Sequence, residues 1–103
     1  MDYKFLGKTG VQVSSLCFGT MSFGGDADAE TSAAMFHRCR EAGINFFDCA
    51  NTYQGGRAEE ILGRLIAPCR DEVVITSKVY FPMSADVNAR GATRYHILRA
   101  VED

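Results

Sequence analysis

Apolar residues occur along this chain in two patterns, short continuous runs and longer segments with helical spacing. The continuous runs cover residues 16–19, 44–48 and 73–75. Runs of this length and composition are typical of buried parallel strands. Between the second and third runs, apolar residues recur at the i, i+3, i+4, i+7 and i+8 positions of one face: Ala58, Ile61, Leu62, Leu65 and Ile66. That spacing predicts an amphipathic helix, which Pro68 ends.

Two other segments also predict helices. The first begins after Asp26 or Asp28, either of which could cap it, and ends at Gly43, where a left-handed residue is expected. Its apolar residues fall on one side: Met35, Phe36, Cys39 and Ala42. The second begins near Thr93 and carries Ile97, Leu98 and Val101. Each predicted helix therefore follows one of the predicted strands.

The segment before the first of these strands predicts a β-hairpin. Residues 3–6 and 11–14 are short extended runs on either side of a turn that contains Gly7 and Gly10. The whole order is a hairpin followed by three strand–helix units. Strands that alternate with helices predict an α/β fold with a parallel sheet and right-handed crossovers. No linker or repeat divides the chain, so we expect a single domain.

Composition and charge narrow the classes of partner. The net charge is −2 and the basic residues are interspersed, which argues against a nucleic-acid partner. No apolar run approaches the roughly 20 residues needed to cross a bilayer, so no membrane partner is expected. The cysteines, at positions 17, 39, 49 and 69, form no C-x-x-C pair and predict no metal site. They are better interpreted as reduced, partly buried thiols of a cytoplasmic protein.

Three ionisable side chains follow the second and third strands: Asp48 ends the second, Tyr53 lies in the loop after it, and Lys78 follows the third. Taken singly, each has an ordinary interpretation: Asp48 as a turn residue, Tyr53 as a packing residue and Lys78 as a solvated side chain. Together they stand at the carboxyl ends of neighbouring parallel strands, where ligands bind in such folds. A phenol has a pKa of about 10, which a nearby ammonium lowers, while a carboxylate keeps that ammonium charged and oriented. The three side chains therefore predict a proton-transfer group.

The same residues carry a family resemblance. Residues 48–63, Asp-Cys-Ala-Asn-Thr-Tyr-Gln-Gly-Gly-Arg-Ala-Glu-Glu-Ile-Leu-Gly, resemble the signature of the aldo-keto reductase family. That signature consists of Asp-x-Ala, a tyrosine, a glycine turn and a Glu-rich helix start that ends in Leu-Gly. Residues 18–24 match the family's first strand and loop, and Ser77-Lys78 match the end of its third strand. The resemblance covers essentially the whole chain in the expected order.

The resemblance implies an α/β fold of the (β/α)8 TIM barrel class. Residues 1–103 would then be a single partial domain that holds the N-terminal hairpin and about the first three βα units, and the chain would stop within the third helix. It also implies a cytoplasmic oxidoreductase that uses NADP(H), with NAD(H) left open. The expected substrate is a small-molecule aldehyde or ketone, which the enzyme reduces to an alcohol. No particular oligomeric state is indicated.

The family's functional residues match positions of this sequence one by one. The resemblance implies that Tyr53 is the catalytic proton donor, that Lys78 is its partner and that Asp48 is the orienting carboxylate. For the cofactor, it implies that a short backbone segment lines the nicotinamide end of the cleft, with Asp48 close to the ring. That segment consists of Gly19, Thr20 and Met21.

The chain departs from the family pattern at the fourth catalytic residue. In the family this residue is a histidine after strand four, whereas His37 and His96 both fall on predicted helices and are given no chemistry. A complete barrel needs about 250 residues, and its phosphate site is commonly built by loops late in the chain. We therefore expect these 103 residues alone to be inactive.

Two alternatives to the enzyme stay open. One is a non-catalytic, nucleotide-sensing or partner-binding protein on the same fold, similar to potassium-channel β-subunits. The other is an inactive truncated fragment, whose open sheet edges would favour aggregation or oligomerisation. Among side chains near the site, Cys49 is interpreted as a packed thiol. Tyr80 and Phe81 could equally contact substrate or pack within their loop.

Overall fold

The computed structural model describes residues 1–103 and contains two small sheets. The first sheet is the predicted hairpin, in which β1 (Tyr3–Phe5) and β2 (Gln12–Ser14) pair antiparallel. The second sheet is parallel and consists of three strands in this order: β3 (Phe18–Gly19), β4 (Phe46–Asp48) and β5 (Val74–Thr76). The predicted α/β organisation with a parallel sheet is therefore confirmed.

The register of the parallel sheet aligns the carboxyl ends of its strands. Gly19 pairs with Asp48, and Asp48 pairs with Thr76 across the central strand β4. The three strands therefore end level with one another, so the residues that follow them meet at one edge.

The hairpin is attached beside the opposite, amino-terminal end of β4. The side chain of Asn45 accepts a hydrogen bond from the Ser14 backbone N–H at 2.7 Å and donates one to the Gln12 carbonyl at 3.1 Å. The hydroxyl of Tyr3 donates to the carbonyl of Gly43 at 2.8 Å. The hairpin is thus anchored by polar contacts at the end of the sheet away from the predicted site.

The first helix, α1 (Ala29–Glu41), is capped at both ends as the sequence predicts. Asp28 is the N-cap residue, because its Oδ1 accepts a hydrogen bond from the Thr31 N–H at 2.8 Å. Gly43 has a φ of +91°, the left-handed value for which glycine is favoured after a helix. The Ile44 N–H then bonds back to the Cys39 carbonyl at 3.0 Å, which completes a Schellman motif.

The second helix, α2 (Arg57–Ile66), supplies much of the core. Ala58, Ile61, Leu62 and Ile66 are buried and Leu65 packs against them, so the predicted apolar face is confirmed. A 3-10 turn (Ala67–Glu72) with Pro68 in its first positions connects α2 to β5. On the other side of the core, the rings of Phe36 and Phe47 pack with centroids 4.9 Å apart.

The prediction of a buried strand over residues 16–19 is wrong for its first half. Leu16 is 59% exposed and Cys17 is also exposed, whereas Phe18 packs against the core. The physical reason is that residues 15 and 16 form the bend between β2 and β3, so Leu16 and Cys17 precede the strand instead of belonging to it. For the same reason Cys17 departs from the predicted class of partly buried thiols.

The third helix, α3 (Arg94–Glu102), begins at Thr93, whose side chain accepts a hydrogen bond from the His96 N–H at 3.1 Å. Its predicted apolar residues are exposed: Ile97, Leu98 and Val101. The buried residue of this helix is His96, whose Nδ1 lies 2.8 Å from the carbonyl oxygen of Gly91. No helix is both long enough and apolar enough to span a membrane.

Candidate active site

Asp48 lies at the centre of the sheet edge where the three parallel strands end. Its Oδ1 accepts a hydrogen bond from the Thr76 hydroxyl on β5 at 2.7 Å. On the other side, both the N–H and the hydroxyl of Thr20 donate to the Asp48 carbonyl oxygen, each at 2.9 Å. The carboxylate is therefore oriented by one neighbouring strand and its backbone is held by the other.

Lys78 is directed into this site by its own hydrogen bonds. Its Nζ donates to Asp48 Oδ2 at 2.6 Å and to the carbonyl of Cys49 at 2.6 Å. Partial burial raises the pKa of Asp48. Hydrogen bonds from Lys78 and Thr76, together with the ammonium charge, outweigh that effect and bring the pKa below its ordinary value. For Lys78, burial lowers the pKa, while Asp48 and Tyr53 together raise it above its ordinary value. The pair is therefore ionised at neutral pH.

Backbone hydrogen bonds between the segments that follow β4 and β5 place the Tyr53 ring under the Lys78 ammonium. Beyond the last residues of β4 and β5, the Cys49 N–H donates to the Thr76 carbonyl at 2.8 Å, and the Asn51 N–H donates to the Lys78 carbonyl at 3.1 Å. The Tyr53 ring consequently lies with its centroid 5.0 Å from Lys78 Nζ, a cation–π distance. The structure thus brings together Asp48, Tyr53 and Lys78, the three side chains of the predicted proton-transfer group.

A small cavity of about 150 Å³ opens beside Tyr53 and Lys78, with Phe81 on its rim. Tyr80 and Phe81 are both exposed and stack edge to face with centroids 5.6 Å apart. Phe81 therefore faces the cavity, whereas Tyr80 packs against Phe81. No cluster of three or more histidine, cysteine or acidic side chains is arranged to hold a metal ion.

The three residues of the predicted cofactor segment differ in their exposure to solvent. Gly19 and Met21 are exposed at the edge of the site, and a Cβ added to Gly19 would have no atom within 4 Å. Thr20 is fully buried, and both of its donors are already bonded to Asp48. The segment is therefore open to solvent at Gly19 and Met21, and Thr20 fixes it to β4.

Sequence reasoning identified the charged residues but missed two neutral ones. Thr76 was assigned no role, although it orients Asp48, and Gln54 was also passed over, although its Nε2 donates to the Met21 carbonyl at 2.9 Å. The only available signal was position: Thr76 is the last residue of β5, and Gln54 directly follows Tyr53. The interpretation of Cys49 as a packed thiol is confirmed, because it is buried and burial raises its pKa.

Neither histidine lies at a strand end, as the sequence predicts. His37 is exposed on α1, and His96 is buried on α3. Both histidines therefore lie on helices, apart from Asp48, Tyr53 and Lys78.

Comparison with known proteins assigns the family. The model of the aldo/keto reductase family matches residues 15–103. The chain belongs to this family. The fold agrees: a thermostable aldo-keto reductase crystallised with the inhibitor epalrestat superimposes with a TM-score of 0.78 and 30% identity, covering 99% of this chain and 36% of that one. The chain therefore corresponds to an N-terminal part of the aldo-keto reductase barrel.

Curated relatives of this aldo-keto reductase chain carry two kinds of name. A probable voltage-gated potassium channel subunit beta of Arabidopsis thaliana is 39% identical over 99% of this chain, and its counterpart in Oryza sativa subsp. japonica is 38% identical over 98%. An uncharacterized oxidoreductase of Bacillus subtilis (strain 168) is 41% identical over 99%. The chain spans 32% of the two channel subunits and 35% of the bacterial protein, about a third of their length.

Proposed function

We propose that this sequence forms part of a cytoplasmic, NADP(H)-dependent oxidoreductase that reduces small-molecule aldehydes or ketones to alcohols. Membership of the aldo/keto reductase family supports oxidoreduction in general. The observation that carries the specific proposal is the convergence of Asp48, Lys78 and Tyr53 at one edge of the sheet, with Lys78 Nζ 2.6 Å from the carboxylate and 5.0 Å from the phenol ring.

Each side chain has a separate task in the proposed reaction. Tyr53 donates its hydroxyl proton to the carbonyl oxygen as the carbonyl carbon is reduced. Lys78 stabilises the negative charge that is left on the phenol oxygen, because its ammonium lies beside the ring. Asp48 keeps the ammonium charged and directed, and its own orientation depends on the hydroxyl of Thr76.

The cofactor would be held at its nicotinamide end by Gly19 and Met21, which present exposed backbone next to Asp48. When bound, the nicotinamide supplies the hydride. Reduced cysteines suit a cytoplasmic location, since none of the four forms a disulfide in this fold. NADP(H) is the preferred proposal, and NAD(H) is the comparison to include in every assay.

The test is NADPH oxidation by the full-length protein with an aromatic aldehyde such as 4-nitrobenzaldehyde. Tyr53→Phe should lower kcat by roughly 10²- to 10⁴-fold, because it removes the proton donor. The dissociation constant for NADPH should change by less than about twofold, since the ring itself remains. Tyr95→Phe is the matched control, because Tyr95 is an exposed tyrosine on α3 outside the site. A Tyr53→Phe protein with undiminished turnover would refute the proposal.

A second candidate function is a nucleotide-sensing or partner-binding protein on the same fold. It is favoured by the two plant relatives, which are named as probable potassium channel subunits. The two candidates differ in turnover: rapid steady-state NADPH oxidation supports the enzyme, whereas tight NADPH binding with almost no turnover supports the sensor. A full-length protein that shows neither would contradict both candidates, whereas the third candidate, an inactive fragment, concerns these 103 residues alone.

A further inference from the structure

The residue after Tyr53 has a backbone conformation that residues with a Cβ rarely adopt. Gln54 has φ +53° and ψ +39°, and the left-handed turn continues through Gly55 and Gly56 with φ of +65° and +99°. A glutamine is disfavoured here because its Cβ crowds the following carbonyl oxygen. Such a residue persists where the surrounding structure holds it in place.

Two contacts of the Gln54 side chain hold it in place, and both reach the loop after β3. Its Nε2 donates a hydrogen bond to the Met21 carbonyl at 2.9 Å. Its amide also lies directly over Gly25, where an added Cβ would come within 2.5 Å of Gln54 Cδ. The glutamine therefore bridges the turn that carries Tyr53 and the loop that begins with the proposed cofactor segment.

The loop after β3, residues 20–27, is held in place by its own packing and hydrogen bonds. Phe23 is fully buried within the loop, and its N–H donates to the Thr20 carbonyl at 3.0 Å. The Gly25 N–H donates to the Ser22 carbonyl at 2.9 Å, which closes a further turn. Because the Gln54 side chain is hydrogen-bonded to this loop, it can fix the position of its own chain neighbour, Tyr53.

We propose that Gln54 is a positioning residue, which holds the Tyr53 turn in register with the Gly19–Met21 backbone. The inference rests on the proposed function, in which Tyr53 gives the proton and Gly19 and Met21 face the nicotinamide. The Gln54 side chain contacts the Met21 carbonyl and Gly25, and it makes no hydrogen bond to Asp48, Tyr53 or Lys78. It acts by setting the distance between the proton donor and the cofactor edge.

The first test is Gln54→Gly in the full-length protein, assayed with NADPH and 4-nitrobenzaldehyde. Glycine removes the bridging amide but suits the left-handed backbone, so the melting temperature should stay equal or rise. We expect kcat to fall about tenfold, because small displacements of a reacting group are costly, while the aldehyde KM changes by less than about twofold. A residue that only maintained the fold would give a lower melting temperature with an unchanged kcat, and an unchanged kcat would overturn the proposal.

The second test changes Gly25, the residue that the Gln54 amide covers. Gly25 does not have a positive φ, so Gly25→Ala fits the backbone, but its methyl group would displace the Gln54 amide. Gly25→Ala alone should reproduce the loss of roughly tenfold in kcat. In the Gln54→Gly background the same change should cost less than about twofold, because the clash is gone. Losses that simply multiply would show that the two residues act independently and would overturn the proposal.

Hydrogen exchange separates this inference from the proposed function, because it needs no turnover. In both single variants the amides of residues 20–27 and 53–57 should exchange faster, while those of α1 stay unchanged. Faster exchange in only one of the two segments would overturn the bridge. If the unmodified protein oxidised no NADPH, the proposed function would fail, and with it the contribution of Gln54 to turnover. The exchange result would still decide whether Gln54 joins the two segments.

Discussion

The chain up to Thr76 and the chain after it differ in how their residues are held. Of the 18 buried residues, only His96 lies after Val73. The core cluster around Phe36 and Phe47 draws its buried residues from Phe23 to Val73, whereas the later loop and α3 expose most of their apolar side chains. The proposed catalytic group spans this boundary, because Asp48 and Tyr53 belong to the packed region and Lys78 to the exposed one.

The difference teaches how a reactive lysine can be positioned without a core around it. Lys78 has a side chain that is 48% exposed, yet its Nζ is bound at 2.6 Å to both Asp48 Oδ2 and the Cys49 carbonyl. Two charge-assisted hydrogen bonds to the packed region replace apolar contacts. Packing therefore fixes the acceptors, and the acceptors fix the lysine.

The comparison is tested most strongly by two phenylalanines, one from each region. Phe47 is 0% exposed, and Phe81 is 65% exposed. Phe47→Ala should lower the free energy of unfolding by about 3–5 kcal/mol, because it opens a cavity between Phe18 and Phe36. Phe81→Ala should change it by less than about 0.5 kcal/mol. Denaturation in urea measures both, and equal losses would show that the later region is packed as firmly as the core.

A smaller effect is expected at Thr76, which holds the carboxylate to which Lys78 binds. Thr76→Val removes the hydroxyl that donates to Asp48 Oδ1 at 2.7 Å and should cost about 1 kcal/mol of stability. Because Asp48 then loses one of the hydrogen bonds that lower its pKa, that pKa should rise. The measurement is an NMR titration of the Asp48 carboxyl group.

Thr76→Ser is the control, because it keeps the hydroxyl and loses only a methyl group. We expect its Asp48 titration to match that of the unmodified protein. A Thr76→Val protein with an unshifted titration would show that packing, rather than the hydroxyl, orients the carboxylate.

The smallest effect concerns the pH dependence of the Asp48–Lys78 pair. The pKa of Asp48 is lowered by folding, so its contribution is complete above about pH 4 and is lost as the pH falls through the folded value. The pKa of Lys78 is raised, so its contribution is complete below about pH 10.4 and is lost as the pH rises through the folded value. Both side chains are more than a third exposed, which keeps the effect below about 1 kcal/mol.

The unmodified protein and Asp48→Asn should therefore differ most in stability between these two limits. Their unfolding free energies, measured from pH 7 downwards, should draw closer together as the pH falls through the folded pKa of Asp48. A difference that stays constant with pH would mean that Asp48 acts through hydrogen bonds that do not depend on its charge.

The sequence allowed prediction of the parts of the site that are set by local pattern. Strand ends, helix caps and charged side chains leave local signals, so the sequence alone predicts the positions of Asp48, Tyr53 and Lys78. The exposure of Leu16 was not predictable, because an apolar run predicts burial and only the structure shows that Leu16 lies in the bend before β3. The role of Gln54 was also hidden, because it depends on a contact with Met21, 33 residues earlier.

The hairpin has a consequence for the order in which the protein acquires structure during synthesis. Each hydrogen bond that attaches it, from Tyr3 to Gly43 and from Gln12 and Ser14 to Asn45, has its later partner at or before Asn45. Both partners of each contact are therefore synthesised before Lys78, because translation runs from the N-terminus. Of the proposed catalytic side chains, the lysine emerges last.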